Sequence, residues 1–254
     1  MKTSDAKFSI KLKKILLILV FFLAYENLYA EEWIGSCEEN YPPYNYIENG
    51  IPIGLDTEIV QHVMNKIGKK LIIKPTIWSN VYSNLLENKV DLAWQFIGSE
   101  ERKKIFFLVG PIRYGLDVIL VRKSSNVSNW TSLNDFSGLK AGVIKGYKYH
   151  HEFDTANNFK KKEFPNVQAQ LEALLSNKVD FIIGDFNVLK YIIKKNNFYE
   201  KIKFLPTSIK KIPRFIAFSS KNKEKSILFE HYLQEFLSSQ EYSDLLEKYE
   251  KMNR

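Results

Sequence analysis

The pattern of apolar and polar positions predicts helices that alternate with buried strands. Residues 85–91 (LLENKVD) return as residues 174–180 (LLSNKVD), with six of seven residues identical at an offset of 89. In each copy an amphipathic helix ends at the leucine pair, and a short polar turn leads to an apolar run, residues 92–94 or 181–183. A helix that leads into a buried strand is half of a βαβ unit. The pattern therefore predicts an α/β protein with mostly parallel sheets in two lobes of like build.

Two further apolar runs, residues 116–121 and 215–218, flank the second set of elements, and we interpret them as hinge crossings between the lobes. Residues 226–249 have the spacing of two amphipathic helices that return to the first lobe. Asp56 and Thr57 are predicted to cap a helix of that lobe. Ligands of α/β sheets bind outside the carboxyl ends of the strands, so we expect the site in the cleft between the lobes. The predicted divisions are a signal peptide over 1–30, the first part of lobe 1 over 31–120, lobe 2 over 121–212, and the return to lobe 1 over 213–254.

The first thirty residues have the features of a secretory signal peptide. Residues 1–14 carry five lysines and one acid, and the apolar run from Ile15 to Ala24 follows directly. Ten apolar residues are too few for a helix to cross a bilayer core about 30 Å thick, and Ala30 is a small residue suited to cleavage. We expect export to the periplasm; a retained membrane anchor is the alternative.

Net charge and cysteine content limit the binding partners and the covalent links that the chain can have. Removal of residues 1–30 takes away five lysines and two acids, which lowers the formal net charge from +8 to +5, so we expect no nucleic-acid partner. Cys37 is the one cysteine in the sequence, which excludes an intrachain disulfide. Residues 34–37 faintly resemble a lipoprotein cleavage box, but residues 31–33 separate them from the apolar run. We therefore expect Cys37 to be buried on the first strand rather than lipid-anchored.

Catalytic and cofactor motifs do not stand out in the sequence. His150 and His151 are adjacent, and adjacent side chains on a helix point apart, so we expect no metal site there. The sequence contains neither a Gly-x-Ser-x-Gly elbow nor a phosphate-binding glycine loop, and we expect no cofactor. An enzyme that places Glu100 or Glu101 in the cleft as its acid is the alternative to a binding protein.

Short motifs follow one another in a fixed order through residues 33–250. They are YPPY (41–44), GLD (54–56), Trp78 with the first leucine pair, Arg102 within its charged run, GP (110–111), GLKAGV (138–143), and Asp180 with Asp185. In these residues and their order the chain resembles the extracytoplasmic solute-binding proteins of family 3, the amino-acid-binding group of the type II periplasmic fold. The resemblance implies a monomer that carries a small amino-acid-like ligand to an ABC-type membrane permease without catalysis.

The resemblance also implies a ligand site. Arg102 matches the position that binds the ligand carboxylate, and Asp185 matches the position that binds its ammonium group. These residue types suit the task, because a guanidinium donates two parallel hydrogen bonds to a carboxylate and an aspartate accepts from an ammonium. Tyr41 and Trp78 match the aromatic walls of the family's site, and Gly146 matches a loop whose amides face the ligand. Ser99 supplies a hydroxyl, and Tyr44 is expected to lie at the mouth of the cleft.

Simpler interpretations of these residues stay open at this point. Arg102 lies in a charged run of the kind that is usually solvated surface. Asp185 is well suited to cap a helix that begins at Phe186. By composition alone, Tyr41 and Trp78 fit the core as well as the cleft.

Two segments depart from the family pattern. Residues 94–99 (WQFIGS), beginning with Trp94, stand where the family carries a loop of small residues, and Tyr147 stands where Thr or Ser is usual. Both changes add ring surface beside the expected ligand. We therefore expect a larger, flatter or partly apolar ligand, and loss of amino-acid binding is the alternative. A sensor that passes its closed state to another membrane protein is a third interpretation.

Overall fold

The computed structural model describes residues 31–206 and 211–252. The predicted signal peptide therefore lies outside the described residues. Among the helices that are described, none has both the length and the apolar character needed to cross a membrane. Cys37 lies buried on the first strand, where the sequence predicted it.

Strands and helices alternate through most of the described residues. The strands are β1 (Glu32–Glu38), β2 (Asn40–Tyr41), β3 (Asn45–Glu48), β4 (Ile51–Ile53), β5 (Lys70–Thr76), β6 (Leu92–Ile97), β7 (Phe107–Arg122), β8 (Lys140–Ile144), β9 (Lys160–Phe164), β10 (Phe181–Asp185), β11 (Ile202–Phe204) and β12 (Lys211–Phe218). The helices are α1 (Leu55–Ile67), α2 (Trp78–Leu86), α3 (Glu100–Ile105), α4 (His151–Thr155), α5 (Val167–Leu175), α6 (Phe186–Lys195), α7 (Lys223–Leu237) and α8 (Gln240–Met252). A 3₁₀ turn covers Leu133–Phe136.

The long strand β7 belongs to two half-sheets. The sheet order is β5-β1-β6-β12-β7-β10-β8-β9, with β11 also on β7. Residues 107–116 of β7 pair antiparallel with β12, and residues 117–121 pair antiparallel with β10. Outside these crossing strands, β1 pairs with β6, and β8 pairs with β10 and β9, in parallel. We call the half-sheet from β5 to the first part of β7 lobe 1, together with the helices packed on it and the small sheet β2-β3-β4, and the half-sheet from the second part of β7 to β9, with its own helices, lobe 2.

This topology confirms the predicted two-lobed α/β fold with two crossings. The crossings are β7 and β12, which contain both apolar runs that the sequence marked. The tail helices α7 and α8 pack on α1 of lobe 1, and Phe229, Leu233 and Phe236 of α7 are buried. The residue boundaries predicted for the lobes stay a prediction.

The sequence repeat encodes the same helix-to-strand turn in each lobe. Asn88 and Asn177 both adopt left-handed backbone angles, with φ of 56° and 59°. The aspartate three residues later then binds the neighbouring strand twice. The Asp91 amide donates to the Ile34 carbonyl at 2.7 Å, and the Ile34 amide donates to Asp91 Oδ2 at 2.7 Å. In lobe 2, Asp180 makes the same two bonds to Lys140, each of 2.8 Å.

The predicted cap of α1 is wrong. Gly54 is the N-cap residue, with φ of 120° and without a side-chain cap, and α1 begins at Leu55. A side chain at Gly54 would collide with the Tyr44 carbonyl, so glycine is required there. Asp56 is instead buried and faces Arg113, because a strand of the hinge passes beside the first turn of this helix.

Candidate functional site

A small cavity lies where the two half-sheets meet, and the space in it that is open to the centre of a water molecule is about 20 Å³. One buried water needs at least about 10–15 Å³ by this measure, so the cavity in this closed arrangement has room for about one or two waters. The ends of β6 and β10 and the loop after β8 all reach it, in agreement with the expected position at the carboxyl ends of strands. Its lining residues are Tyr41, Trp78, Gln95, Ile97, Arg102, Asp117, Tyr147, Lys148, Tyr149, Gly184, Asp185 and Arg214.

Arg102 is buried in the wall of this cavity, with 2% of its surface exposed. The Ser99 hydroxyl caps α3 by accepting a hydrogen bond from the Arg102 amide at 3.2 Å. The guanidinium donates to the carbonyls of Ile97 at 3.3 Å and Gly146 at 3.2 Å. Its Nε has no hydrogen-bond partner among the described residues. Burial lowers the pKa of Arg102 to about 10, so at neutral pH the side chain is a charged donor with one N–H group left unsatisfied.

Aromatic rings surround this guanidinium. Its carbon lies 5.3 Å from the ring centre of Trp78, 5.6 Å from that of Tyr82 and 5.1 Å from that of Phe96. Rings at these distances attract a cation and hold its side chain in one orientation. The charged run around Arg102 therefore conceals one inward-facing arginine.

Two carboxylates face the cavity from neighbouring strands. Asp117 of β7 and Asp185 of β10 are directly paired in the antiparallel register. Asp185 Oδ1 caps α6, accepting from the amides of Asn187 at 3.1 Å and Val188 at 3.4 Å. The Oδ2 atoms of both aspartates have no hydrogen-bond partner in the described part of the chain. Asp185 is thus both a helix cap and an acceptor at the cleft.

Arg214 neutralises part of this negative charge. Its Nη2 lies 3.1 Å from Asp117 Oδ1 and 3.7 Å from Asp185 Oδ2, and all three side chains are at most 4% exposed. Burial raises the pKa of Asp117 to about 6. Gly115 makes the close approach possible, since a Cβ there would lie 2.5 Å from Asp185 Oδ2. Arg113 Nη1 also lies 3.9 Å from Asp185 Oδ2, so two arginines face three buried aspartates, the third being Asp56. The excess of one negative charge suits a cationic group.

A second buried ion pair, between Arg113 and Asp56, lies next to the pair of Arg214 and Asp117. Arg113 Nε and Nη2 lie 2.5 and 2.9 Å from the two carboxylate oxygens of Asp56. The guanidinium rests on the Tyr44 ring, 3.2 Å from its centre, and the Tyr44 hydroxyl accepts from Asn187 at 2.9 Å. Tyr44 therefore lies behind the cavity and lines a separate surface groove.

Sequence reasoning missed Arg113, Asp117 and Arg214. A signal for them exists, because each is a charged residue inside an otherwise apolar strand, and such charges are buried only when they are paired. Their partners lie too far along the chain for any local pattern to show them.

Residues 94–97 of the segment that departs from the family pattern belong to strand β6 and not to a loop. Gln95 has φ of 71° and is skipped in the register between β6 and β12, so it forms a β-bulge. Trp94 and Phe96 on either side are fully buried, and the Trp94 indole donates to Asn45 Oδ1 at 2.6 Å. The expectation that Trp94 adds ring surface to the cleft is therefore wrong, because the bulge directs Gln95 rather than the tryptophan toward the cavity.

Gln95 joins a buried polar network at the end of β1. Its Nε2 donates to Glu38 Oε2 at 2.7 Å, and its Oε1 accepts from Asn45. The Tyr147 hydroxyl donates to the same Glu38 oxygen, whereas Glu38 Oε1 has no partner among the described residues. Burial raises the pKa of Glu38 to about 7. Nothing in the sequence pattern singled out Glu38.

The loop after β8 connects the lobes across the cavity. The Gly146 carbonyl accepts from the Trp78 indole at 2.9 Å as well as from Arg102. The Tyr147 ring packs edge-on against Trp78, with 5.5 Å between centres, and against Tyr41, with 6.2 Å. The Gly146 carbonyl therefore faces lobe 1 in this structure. The predicted contacts between the loop amides and a ligand stay a prediction.

The cavity brings together five of the predicted site residues: Arg102, Asp185, Tyr41, Trp78 and Tyr147. Ser99 and Gly146 support Arg102 from outside the lining, and Trp94 and Tyr44 lie behind it. The acids considered for catalysis are on the surface. Glu100 pairs with Lys103 at 2.7 Å, and Glu101 pairs with Lys148 at 3.2 Å. The His150 ring accepts from the Phe153 amide and so caps α4.

Comparison with known families now assigns the chain. The model of the bacterial extracellular solute-binding proteins, family 3, matches residues 34–252. The chain belongs to this family. The two-lobed fold of this family 3 solute-binding protein is that of the type II periplasmic binding proteins.

Individual relatives of the family 3 protein include binding proteins and an enzyme. A probable histidine-binding protein of Campylobacter jejuni is 25% identical over 214 residues, 83% of this chain and 82% of its own. The structure of an ancestral arginine-binding protein bound to arginine has a TM-score of 0.76 and 26% identity, over 86% of this chain and 97% of that one. Cyclohexadienyl dehydratase of Pseudomonas aeruginosa is 28% identical over 151 residues, 58% of this chain and 56% of its own.

Proposed function

We propose that this family 3 protein is exported to the periplasm, captures an amino acid or a related zwitterion in the inter-lobe cavity, and delivers it to an ABC-type membrane transporter. One observation carries the proposal: buried groups of opposite charge, each with an unsatisfied hydrogen-bonding atom, line a single cavity. Arg102, Asp117 and Asp185 all line it, and Arg102 Nε, Asp117 Oδ2 and Asp185 Oδ2 each lack a hydrogen-bond partner among the described residues.

Unsatisfied atoms of this kind are costly without a ligand. A buried polar atom that lacks a hydrogen bond has lost its hydration without full replacement, even where the group it belongs to has other partners. A free amino acid carries a carboxylate that Arg102 would bind and an ammonium group that the two aspartates would bind. Both pairings would form away from water, where electrostatic attraction is strong.

Closure of the lobes supplies the transport signal in this proposal. Both crossings are extended strands, and contacts such as those of Trp78 and Arg102 with Gly146 join the lobes when the cleft is shut. A ligand that touches both lobes binds the closed form more tightly and shifts the population toward it. A permease that recognises the closed form would then accept the loaded protein. A ligand sensor would use the same closure with a different membrane partner.

The test is thermal stabilisation of the full chain, expressed for export and purified, by a panel of amino acids, amines and small carboxylates. A ligand at a hundredfold over its dissociation constant adds about 2.7 kcal/mol to stability. We expect at least one amino acid to raise the melting temperature, and Arg102→Ala to remove that shift. Lys103→Ala is the matched control, because Lys103 is the exposed neighbour on the same helix. A shift that survives in Arg102→Ala, or a panel without any shift, contradicts the proposal.

The dehydratase relative makes an enzyme the competing function. In such an enzyme the acid would come from the cavity, where Asp117 and Asp185 lie, and not from the exposed Glu100 or Glu101. Incubating each stabilising ligand with the protein and analysing the mixture by mass spectrometry separates the two functions. We expect the ligand to be recovered unchanged; catalytic turnover would assign the enzyme function instead.

A further inference from the structure

Tyr147 is a lobe 2 residue whose side chain is held by lobe 1. It follows Gly146 in the loop after β8, and its ring lies edge-on to both Tyr41 and Trp78 of lobe 1. Its hydroxyl donates to Glu38 at the end of β1. Aromatic walls on two sides and a carboxylate at the tip surround the ring as a binding pocket surrounds a bound side chain.

The ring takes up the part of the cavity where we expect the side chain of a ligand to lie. Arg102 would hold one end of an amino-acid ligand, and Asp117 and Asp185 would hold the other. The cavity must then also accommodate the side chain of the ligand. The aromatic walls of the cavity are Tyr41 and Trp78, and the space between them contains Tyr147. With the tyrosine in place, the space left open to the centre of a water molecule is only about 20 Å³.

We propose that Tyr147 is a specificity-determining residue that fills the side-chain pocket and restricts the ligand to small zwitterions, of the size of glycine or alanine. The inference rests on the proposed function and names the ligand class for the same site. It reverses the sequence-based expectation of a larger ligand, because the added ring occupies the pocket itself instead of extending its wall.

A longer ligand side chain meets two obstacles. It must displace the ring from Tyr41 and Trp78, which breaks both edge-on contacts. It must also take the Tyr147 hydroxyl from Glu38, whose other oxygen already has no partner in the described residues. A ligand with a cationic side chain could replace that hydroxyl at Glu38, but only where the ring is absent.

Removal of the ring therefore tests the inference. Tyr147→Ser opens the pocket and exposes Glu38. Binding is measured by calorimetry with glycine, alanine, histidine and arginine as the probes. We expect the unmodified protein to bind a small amino acid, and to bind histidine and arginine at least about tenfold more weakly than Tyr147→Ser does. That factor is the scale of discrimination that one or two methylenes give in a packed pocket.

Three variants separate the ring from its hydroxyl and from tyrosine loss in general. Tyr147→Phe keeps the ring, so we expect it still to reject arginine. Glu38→Gln added to Tyr147→Ser is expected to lose the gain for arginine but to keep binding of the small ligand. Tyr199→Ser removes an exposed tyrosine outside the cavity lining and is expected to leave binding unchanged.

The outcomes distinguish the inference from the proposed function. If the unmodified protein binds arginine or histidine as tightly as Tyr147→Ser does, the specificity role is overturned while amino-acid binding stands. If neither Tyr147→Ser nor the unmodified protein binds any probe, and the wider amino-acid panel also fails, both are overturned. Should Tyr147→Ser fail to fold, Tyr147→Phe binding arginine with the affinity of the small ligand would equally overturn the role of the ring.

Discussion

Asp117 and Asp185 lie directly opposite each other on β7 and β10, and one arginine, Arg214, serves both, at 3.1 and 3.7 Å. Like charges in directly opposed positions of a sheet repel each other. Arg214 comes from β12, and Arg113, which lies 3.9 Å from Asp185, comes from β7. The charge of the two aspartates is therefore partly neutralised by residues of both crossing strands. The electrostatic balance of the ligand site and the geometry of the hinge are therefore coupled.

Gly115→Ala is expected to disrupt this arrangement. A Cβ at residue 115 would lie 2.5 Å from Asp185 Oδ2 and 2.9 Å from Arg214 Nη2, so one of the two side chains must shift. We expect a lower melting temperature, by overpacking that costs about 1–3 kcal/mol, and weaker ligand binding. Differential scanning calorimetry with and without ligand measures both. An unchanged melting temperature with unchanged affinity would show that Asp185 and Arg214 do not need a residue without a side chain at position 115.

Asp56→Asn is expected to destabilise the protein strongly. The Asp56–Arg113 pair is buried and bidentate, and loss of one partner leaves the other charge buried without compensation. Such losses cost about 3–5 kcal/mol, whereas a surface pair contributes about 0–1 kcal/mol. Urea unfolding measures the difference, with Glu247→Gln as the control, because Glu247 pairs with Lys251 on the exposed face of α8. Equal effects of the two substitutions would contradict the assignment of Asp56 as a structural partner of Arg113.

Glu38→Gln is expected to remove a pH dependence of stability. Burial raises the pKa of Glu38 to about 7 from the ordinary 4.5, so the folded state binds the proton more tightly than the unfolded state does. Stability is therefore lost as the pH rises from about 4.5 to about 7, by about 3 kcal/mol at most. Urea unfolding of the ligand-free protein across this range measures the loss.

The matched control for that experiment is Glu39→Gln, because Glu39 is the exposed neighbour. We expect Glu39→Gln to retain the pH dependence of the unmodified protein, while the curve of Glu38→Gln is flatter. The same slope in all three proteins would mean that Glu38 ionises in the folded state as it does in the unfolded chain.

Asn177→Ala is expected to destabilise lobe 2 by about 1 kcal/mol, and Asn88→Ala to have the same effect in lobe 1. Both asparagines have positive φ in the repeated turn, a conformation that costs most residues about 1–2 kcal/mol. Asn177→Gly is the control, since glycine adopts this conformation without strain. Thermal unfolding compares the variants, and an alanine variant as stable as its glycine counterpart would contradict the role of the turn.

The sequence alone determined the layout of elements. Its repeat, periodicities and apolar runs report on which face of each local segment is buried, and that information lies within a few residues of each position. Helix α6 begins at Phe186 with Asp185 as its cap, and both copies of the repeat end a helix and lead into a strand, as predicted. The ordered motifs likewise led to the family and to Arg102 and Asp185 in the cleft.

Only the tertiary structure decided what fills that cleft. Asp117 and Arg214 are 97 residues apart and meet because β7 and β12 pair across the hinge. Trp94 lies in the core and not in the cleft because Gln95 bulges out of the register. Tyr147 reaches Glu38, 109 residues away, because the lobes close on each other. Local patterns carry no information on such partners, since the energy of each contact depends on which distant strands become neighbours.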